Sequence, residues 1–174
     1  MIEEAVANFA VRCTEKLRRQ GSVCQGITVF AWTSRFNEHV PEYTIHDSLT
    51  LPIATNAQEE IVGAALSILR AKYPKPMADS RPDCPDMSFH FKKAGVILWQ
   101  ISPDHPRQQD LFDPIDRSKP KKLMEAIDAI NRKNGYGTIR QTIQGTDSRF
   151  DLKREYMSKQ FTTNIHDILK VKTQ

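Results

Sequence analysis

Three stretches of the chain place apolar residues at the spacing of an α-helix. The first helix opens the chain and ends before Gly21, which is a stop signal. The second is predicted from Asn56, an N-cap with Glu59 completing a capping box, to about Tyr73. The third runs from Pro120 to about Arg132. The apolar stripes are Ile2, Val6, Phe9, Cys13 and Leu17; Val62, Leu66, Leu69 and Tyr73; and Leu123, Ile127 and Ile130.

Three other stretches have the composition and alternation of β-strands. They are Gln25–Trp32, Ser48–Ala54 and Lys93–Ile101, the last being the most apolar. Pro52 lacks a backbone N–H donor, which predicts that the second strand lies at a sheet edge. Both faces of the first strand are partly apolar, because Thr28, Phe30 and Trp32 alternate with Ile27, Val29 and Ala31.

The order of elements predicts an α+β fold with helices on one face of a mostly antiparallel sheet. Helix, strand, strand, helix, strand is a β-α-β-β-α-β unit without its first strand, and it occupies residues 1–101. Residues 102–119 are polar and proline-containing, so we predict a linker there. Residues 120–174 are predicted to form a small α/β tail, with a strand at Thr138–Gln144. Since an unpaired sheet edge invites pairing, we expect this tail strand or a second copy to fill it.

Charge and cysteine content narrow the class of protein. The net charge is +4, but residues 1–112 carry 12 Lys/Arg against 13 Asp/Glu, whereas residues 113–174 carry 13 against 8. A basic C-terminal third suggests phosphate or an acidic partner. An odd number of cysteines without a C-x-x-C pair indicates reduced thiols. The sequence contains no run of about 18 apolar residues, and its start lacks the basic and apolar regions of a signal peptide. We therefore expect a cytoplasmic protein with no membrane association.

The linker contains the pentapeptide Gln108-Gln109-Asp110-Leu111-Phe112. Two large apolar side chains in a polar segment are unfavourable unless they pack against something. They either fold back onto the core of the chain or dock into a pocket of a partner while Gln108 bonds at its rim.

Short motifs follow one another along almost the whole chain. The first lies in the first helix, the next follows the first strand, another forms the third strand, and the rest lie beyond the linker. They are Cys13-Thr14-Glu15-Lys16-Leu17-Arg18; Thr33-Ser34-Arg35-Phe36; Phe91-Lys92-Lys93-Ala94-Gly95-Val96-Ile97; Leu123 to Asn131, with Met124 and Asp128; Gly135-Tyr136-Gly137-Thr138; Gln144-Gly145; Lys153-Arg154; and Met157 to Thr163.

These motifs resemble the little-finger domain and C-terminal extension of UmuC-type Y-family translesion DNA polymerases, including the DNA polymerase V catalytic subunit. The departures are mild: Phe91 replaces a tyrosine, and Lys159-Gln160-Phe161 replaces Pro-Arg-Tyr. The resemblance implies that residues 1–101 grip primer-template DNA without reading its sequence, with Thr33, Ser34, Arg35, Lys92 and Lys93 as candidate contacts.

The resemblance also implies partners and a missing catalytic part. Gln108, Leu111 and Phe112 are the candidate contacts with the replicative sliding clamp. The extension implies contacts with UmuD′ and with the RecA filament, for which Lys153 and Arg154 are candidates. The palm carboxylates that hold two Mg²⁺ ions in such polymerases are expected upstream, so we predict no catalysis and no cofactor in this chain.

Two other interpretations stay open from the residues alone. The chain is either part of a polymerase or a free-standing competitor that occupies clamp or DNA without synthesis; whether the gene continues upstream of Met1 decides between them. The pairs His46-Asp47 and His166-Asp167 also suggest a small metal-dependent hydrolase, although the further ligands that such a site needs are not found.

Overall fold

A computed structural model describes residues 2–34, 42–73, 91–104, 118–135, 137–146 and 158–168. It confirms the predicted α+β class and the order of helices and strands along residues 1–101. The elements are α1 (Ile2–Gln20), β1 (Ser22–Thr33), β2 (Thr44–Thr55), α2 (Gln58–Lys72), β3 (Phe91–Pro103) and α3 (Ser118–Asn134), with short 3₁₀ turns η1 (Thr142–Gln144) and η2 (Ile165–Asp167).

The three strands form one antiparallel sheet with the order β2-β1-β3. Within the described residues β2 pairs with β1 alone, so the edge position that Pro52 predicts is confirmed. Helices α1 and α2 cover one face of the sheet and bury its alternating apolar residues. The largest fully buried side chains of this core are Ile27, Ile45, Ile61, Leu69, Val6 and Val29.

Helix α1 has the charges that its dipole favours at both ends. Glu3 and Glu4 lie in its first turn, and Arg18 and Arg19 in its last. Gly21 follows with a left-handed φ of 62°, and its N–H donates to the carbonyl of Arg18 at 3.1 Å. The stop signal at Gly21 is therefore confirmed, and it turns the chain directly into β1.

The predicted capping box at Asn56 is wrong. Helix α2 starts one residue later, with Ala57 as its N-cap and no side-chain capping bond. The Asn56 amide instead donates to the carbonyl of Ser22 at 3.2 Å, and the Thr55 hydroxyl accepts from the Ala57 N–H at 3.0 Å. The Asn56 side chain, which the local pattern predicts to be the helix cap, therefore connects the start of α2 to the start of β1 instead.

The predicted tail strand at Thr138–Gln144 is also wrong. Thr138 to Gln141 form turns and irregular backbone, and η1 follows. The Asn131 side chain accepts from the Ile139 N–H at 2.8 Å and donates to the Ile139 carbonyl at 3.1 Å, which removes both groups from strand pairing. This segment contacts α1 rather than the sheet, so it does not fill the sheet edge. Pairing with a second copy stays a prediction.

Helix α3 begins at Ser118, two residues before the predicted start at Pro120. Its apolar stripe is only partly covered, because Leu123 is 55% exposed and Met124 beside it is buried. Among the described helices, none combines the length and apolar character that crossing a membrane needs.

Candidate nucleic-acid interface

The sheet has one face under the helices and one face without a covering element in the described part of the chain. We call the second the open face, defined by the side chains that alternate away from α1 and α2. Strand register places three of them side by side in each row, from Trp32 with Thr44 and Lys93 to Gly26 with Thr50 and Trp99. The open face comprises Thr44, His46, Ser48, Thr50, Gly26, Thr28, Phe30, Trp32, Lys93, Gly95, Ile97 and Trp99.

Two glycines on the open face make room for aromatic rings. A Cβ atom on Gly26 would come within 2.2 Å of the Trp99 ring, and one on Gly95 within 2.4 Å of the Phe30 ring. Each glycine is the cross-strand neighbour of the aromatic residue that lies over it. Glycine inside a strand is weakening by itself, and its use here is the close approach of a ring to the backbone.

Hydrogen bonds fix the position of the Trp99 indole. Its Nε1–H donates to the Thr28 hydroxyl at 3.1 Å, and that hydroxyl shares a 2.7 Å hydrogen bond with Ser48. The chain of contacts crosses all three strands and satisfies the polar atom of the ring. The Trp99 ring therefore has a fixed position on the open face.

A cation lies at the other end of the open face. The Nζ atom of Lys93 is 5.1 Å from the centroid of the Trp32 ring, within the range of a cation–π contact. Trp32 also stacks on Phe30, with centroids 5.3 Å apart and planes 24° apart. Trp32 is 38% exposed, so this corner presents an aromatic surface with a positive charge on it.

Carboxylates are distributed unequally between the two faces. No side chain of the open face is a carboxylate. The helical side carries the acids of α1 and α2, and Asp47 of β2 points there too, with an oxygen 3.4 Å from Lys72 Nζ. The N–H of Ser48 and then Lys72 lower the pKa of Asp47, which keeps it ionised on that side. The open face thus lacks the charges that would repel phosphate.

The structure brings four of the five predicted DNA contacts to one end of the sheet. Thr33 pairs with Phe91 and Trp32 with Lys93, so Lys92 is the extra residue of a β-bulge. Lys92 and Lys93 are both exposed, beside Ser34. The Thr33 side chain is buried, and its hydroxyl accepts from the Tyr43 N–H at 2.9 Å, so it supports the start of β2. Its contact with DNA stays a prediction.

The other predicted site residues lie outside the described residues. They are Arg35, the clamp-binding candidates Gln108, Leu111 and Phe112, and the partner-binding candidates Lys153 and Arg154.

The described histidine-aspartate pairs take part in local structure. Asp47 contacts Lys72, and Asp167 accepts from the Gln160 N–H at 2.9 Å. Within the described residues, no group of three or more His, Cys, Asp or Glu side chains is arranged to hold a metal ion. Cys24 is buried, and burial, with Cys13 nearby, raises the pKa of its thiol to about 11.

The aromatic residues of the open face were not predicted as site residues. The signal for them is in the sequence, because Phe30 and Trp32 alternate with the apolar core positions of β1. The two glycines were the second signal, since each lies opposite an aromatic residue once the register is known. Register between strands cannot be derived from single-strand patterns, so their pairing was not predictable.

Comparison with known proteins gives the class. The impB/mucB/samB family C-terminal domain matches residues 1–111, and a domain of unknown function, DUF4113, matches residues 121–171. The chain is 33% identical over 172 residues to protein UmuC of Salmonella typhimurium, covering 98% of this chain and 38% of UmuC. It is 31% identical over 168 residues to protein ImpB of Salmonella typhimurium and 32% identical over 168 residues to protein MucB of Escherichia coli.

The fold and these matches define a C-terminal domain of the impB/mucB/samB type. The chain belongs to that family and corresponds to a UmuC-type C-terminal region. In the ImpB and MucB matches, 96% of this chain aligns with 37% and 36% of the relative, respectively. The chain therefore spans less than two-fifths of the length of the curated relatives that it resembles.

Proposed function

We propose that this chain is the DNA-gripping and clamp-tethering C-terminal part of an error-prone translesion DNA polymerase that acts in SOS repair in the cytoplasm. The chain binds primer-template DNA and does not itself transfer nucleotides. The carboxylates that hold Mg²⁺ would belong to another part of the polymerase. Family membership supports the parent class, and the open face supports the DNA contact.

The observation that carries the DNA contact is the open face, which has a cation and aromatic rings but no carboxylate. Lys93 lies on it beside Trp32, and Lys92 is the exposed bulge residue next to it, whereas the acids of α1 and α2 lie on the helical side together with the basic residues of those helices. Lysines at the rim of a sheet can reach the phosphates of a duplex. Such contacts position a duplex without reading its bases, as a polymerase that copies damaged DNA requires.

A direct binding measurement tests this function. Fluorescence anisotropy of a labelled primer-template is titrated with the chain at 25 to 200 mM salt, with a second duplex of unrelated sequence as the control. We expect both duplexes to bind with equal affinity, and the affinity to fall steeply with salt because counterions are released. Absence of binding at the lowest salt, or strong preference for one sequence, contradicts the proposal.

The second proposed contact is with the replicative sliding clamp through Gln108, Leu111 and Phe112. Its support is the sequence: two adjacent large apolar residues follow a polar head in a proline-containing segment. Docking a short peptide gives modest affinity by itself, but it raises the local concentration of the polymerase at a stalled primer terminus.

Surface plasmon resonance on immobilised bacterial clamp tests the tether. We expect wild type to bind and the Leu111→Ala/Phe112→Ala double variant to lose at least about tenfold in affinity, since the two side chains are the anchors. Gln109→Ala is the matched control, because that position is expected to act only as spacing. Equal binding of wild type and the double variant would refute the tether.

The basic tail is the proposed region for UmuD′ and RecA contacts, with Lys153 and Arg154 as candidates. Action as a free-standing competitor differs only in whether the chain operates apart from a polymerase.

A further inference from the structure

The C-terminal segment contacts the domain through a largely buried ion pair. Arg18 of α1 donates from Nε to one carboxylate oxygen of Asp128 in α3 and from Nη2 to the other, both at 2.7 Å. The two side chains are only 11% and 18% exposed. The Nη2 atom also lies 3.5 Å from the Gln58 amide oxygen, at the start of α2. One guanidinium thus joins three helices.

A second contact lies near the other end of α1. The Asn8 amide donates to the Gln144 carbonyl at 2.8 Å, and the Gln144 amide donates back to Asn8 at 3.3 Å. Gln144 is 5% exposed. Gly145 follows with a φ of 64°, and a Cβ atom there would come within 2.1 Å of a Glu4 carboxylate oxygen. The positive φ favours glycine here, and any added Cβ would also make the Glu4 side chain move.

The start of α3 is attached as well. Lys121 Nζ lies 3.1 Å from Asp104 Oδ2, and the Asp104 N–H donates to the Gly21 carbonyl at 2.8 Å. Met124 is buried on the inner side of α3. From Asn8 to Arg18 the attachments span about 15 Å of α1, at a helical rise of 1.5 Å per residue.

We propose that the outer face of α1 is an intramolecular docking surface whose partner is the segment 118–146 of the same chain, with Arg18–Asp128 as its lock. This assigns a role to the part of the chain that matches the domain of unknown function: it braces the DNA-binding domain. Because Asp104 and Lys121 are in contact, the chain leaves the domain and returns to it at one point.

If the proposed clamp contact holds, the docking surface determines where the clamp-binding pentapeptide is attached. The pentapeptide Gln108–Phe112 lies in sequence between Asp104 and Lys121, whose side chains are bonded to each other. A clamp held by that pentapeptide would be tethered within reach of this point on the DNA-binding domain. A linker between two independently moving domains would have no such common point.

Burial is the reason that this ion pair can act as a lock. Removing one partner leaves the other charge without its counter-ion where less than a fifth of each side chain is exposed, which is destabilising. The chain also provides a matched exposed pair: Arg70 donates to both oxygens of Glu3 at 2.8 and 3.0 Å, and those side chains are 59% and 44% exposed. Exposed pairs of equal geometry contribute little.

Amide hydrogen exchange of the whole chain tests the lock. An isolated helix of this length is marginal in water, so protection of α3 amides reports docking. We expect Asp128→Arg to speed exchange in α3 by about 100-fold, and Arg18→Asp combined with Asp128→Arg to restore most of the protection. Glu3→Arg is the matched control and should leave α3 unchanged.

Unchanged α3 exchange in Asp128→Arg would overturn the proposal, and so would a charge swap that restores nothing. If Asp128→Arg speeds exchange in all elements, the charge swap still distinguishes the alternatives, because it restores the protection of α3 only if residues 18 and 128 are in direct contact. The test is independent of the clamp: loss of the lock leaves Leu111 and Phe112 in place, whereas failure of the tether leaves α3 protected.

Discussion

The indole ring of Trp99 lies across Gly26 on the neighbouring strand, in the space that a Cβ atom at position 26 would occupy. The ring is held there by its hydrogen bond to Thr28. The aromatic part of the open face depends on this fit and on the similar fit of Phe30 over Gly95.

Filling the space over Gly26 should cost stability. We expect Gly26→Ala to lower the free energy of unfolding by about 1–3 kcal/mol, because the Trp99 ring must move and its bond to Thr28 is lost. Urea denaturation followed by circular dichroism measures the change. Gly63→Ala is the control: Gly63 lies in α2 with no atom within 4 Å of an added Cβ, so that variant should gain about 0.5–1 kcal/mol. A neutral Gly26→Ala would contradict the tight packing.

Trp32 should report DNA binding by its fluorescence. The chain has two tryptophans, so Trp99→Phe leaves Trp32 as the single emitter. We expect its emission to change on DNA addition, since phosphate near Lys93 alters the charge over the ring. Trp32→Phe is the matched variant, in which Trp99, about 20 Å further along the sheet at 3.3 Å per residue, should change less. Constant Trp32 emission at saturating DNA would rule out this corner as a contact.

Cys24 should make the domain sensitive to alkali. Its folded pKa of about 11 lies above the ordinary value of 9.0, so the folded state holds the thiol proton more tightly than the unfolded state. This contribution is complete below about pH 9 and is lost as the pH rises to about 11. Two pKa units at 1.36 kcal/mol each give a full loss of about 2.7 kcal/mol, and about 2 kcal/mol of it falls between pH 8 and 10.5, where wild type should lose that much more than Cys24→Ala. Parallel losses in urea denaturation would show that Cys24 does not titrate as described.

The sequence alone predicts the helices and strands that bury a regularly spaced row of apolar residues. α1, α2 and the three strands follow directly from apolar periodicity, and Gly21 and Pro52 mark a helix end and a sheet edge as expected. Predictions failed where an asparagine side chain forms a hydrogen bond with a distant backbone group that the local pattern does not indicate. Asn56 caps no helix because it bonds to Ser22, and Thr138–Gln144 is no strand because Asn131 binds Ile139 on both sides.

The candidate site was predictable only in part. The motifs selected Ser34, Lys92 and Lys93 as candidates, and the register pairs Lys93 with Trp32 at the end of the sheet where β1 ends and β3 begins. Their contact with DNA stays a prediction. The aromatic part of the open face depended on cross-strand pairing, which a single strand does not encode. The Arg18–Asp128 pair joins positions 110 residues apart, and no local pattern connects them.

Charge reversal at the end of the open face tests the DNA contact most directly. The slope of log affinity against log salt counts the phosphates that the chain neutralises. We predict that Lys92→Glu/Lys93→Glu lowers the magnitude of that slope by about 2, one for each phosphate contact. Lys16→Glu/Arg19→Glu changes net charge equally on the exposed surface of α1, in the helical layer, and should leave the slope within about 0.5 of wild type. Equal slopes for the two double variants would contradict DNA binding by the open face.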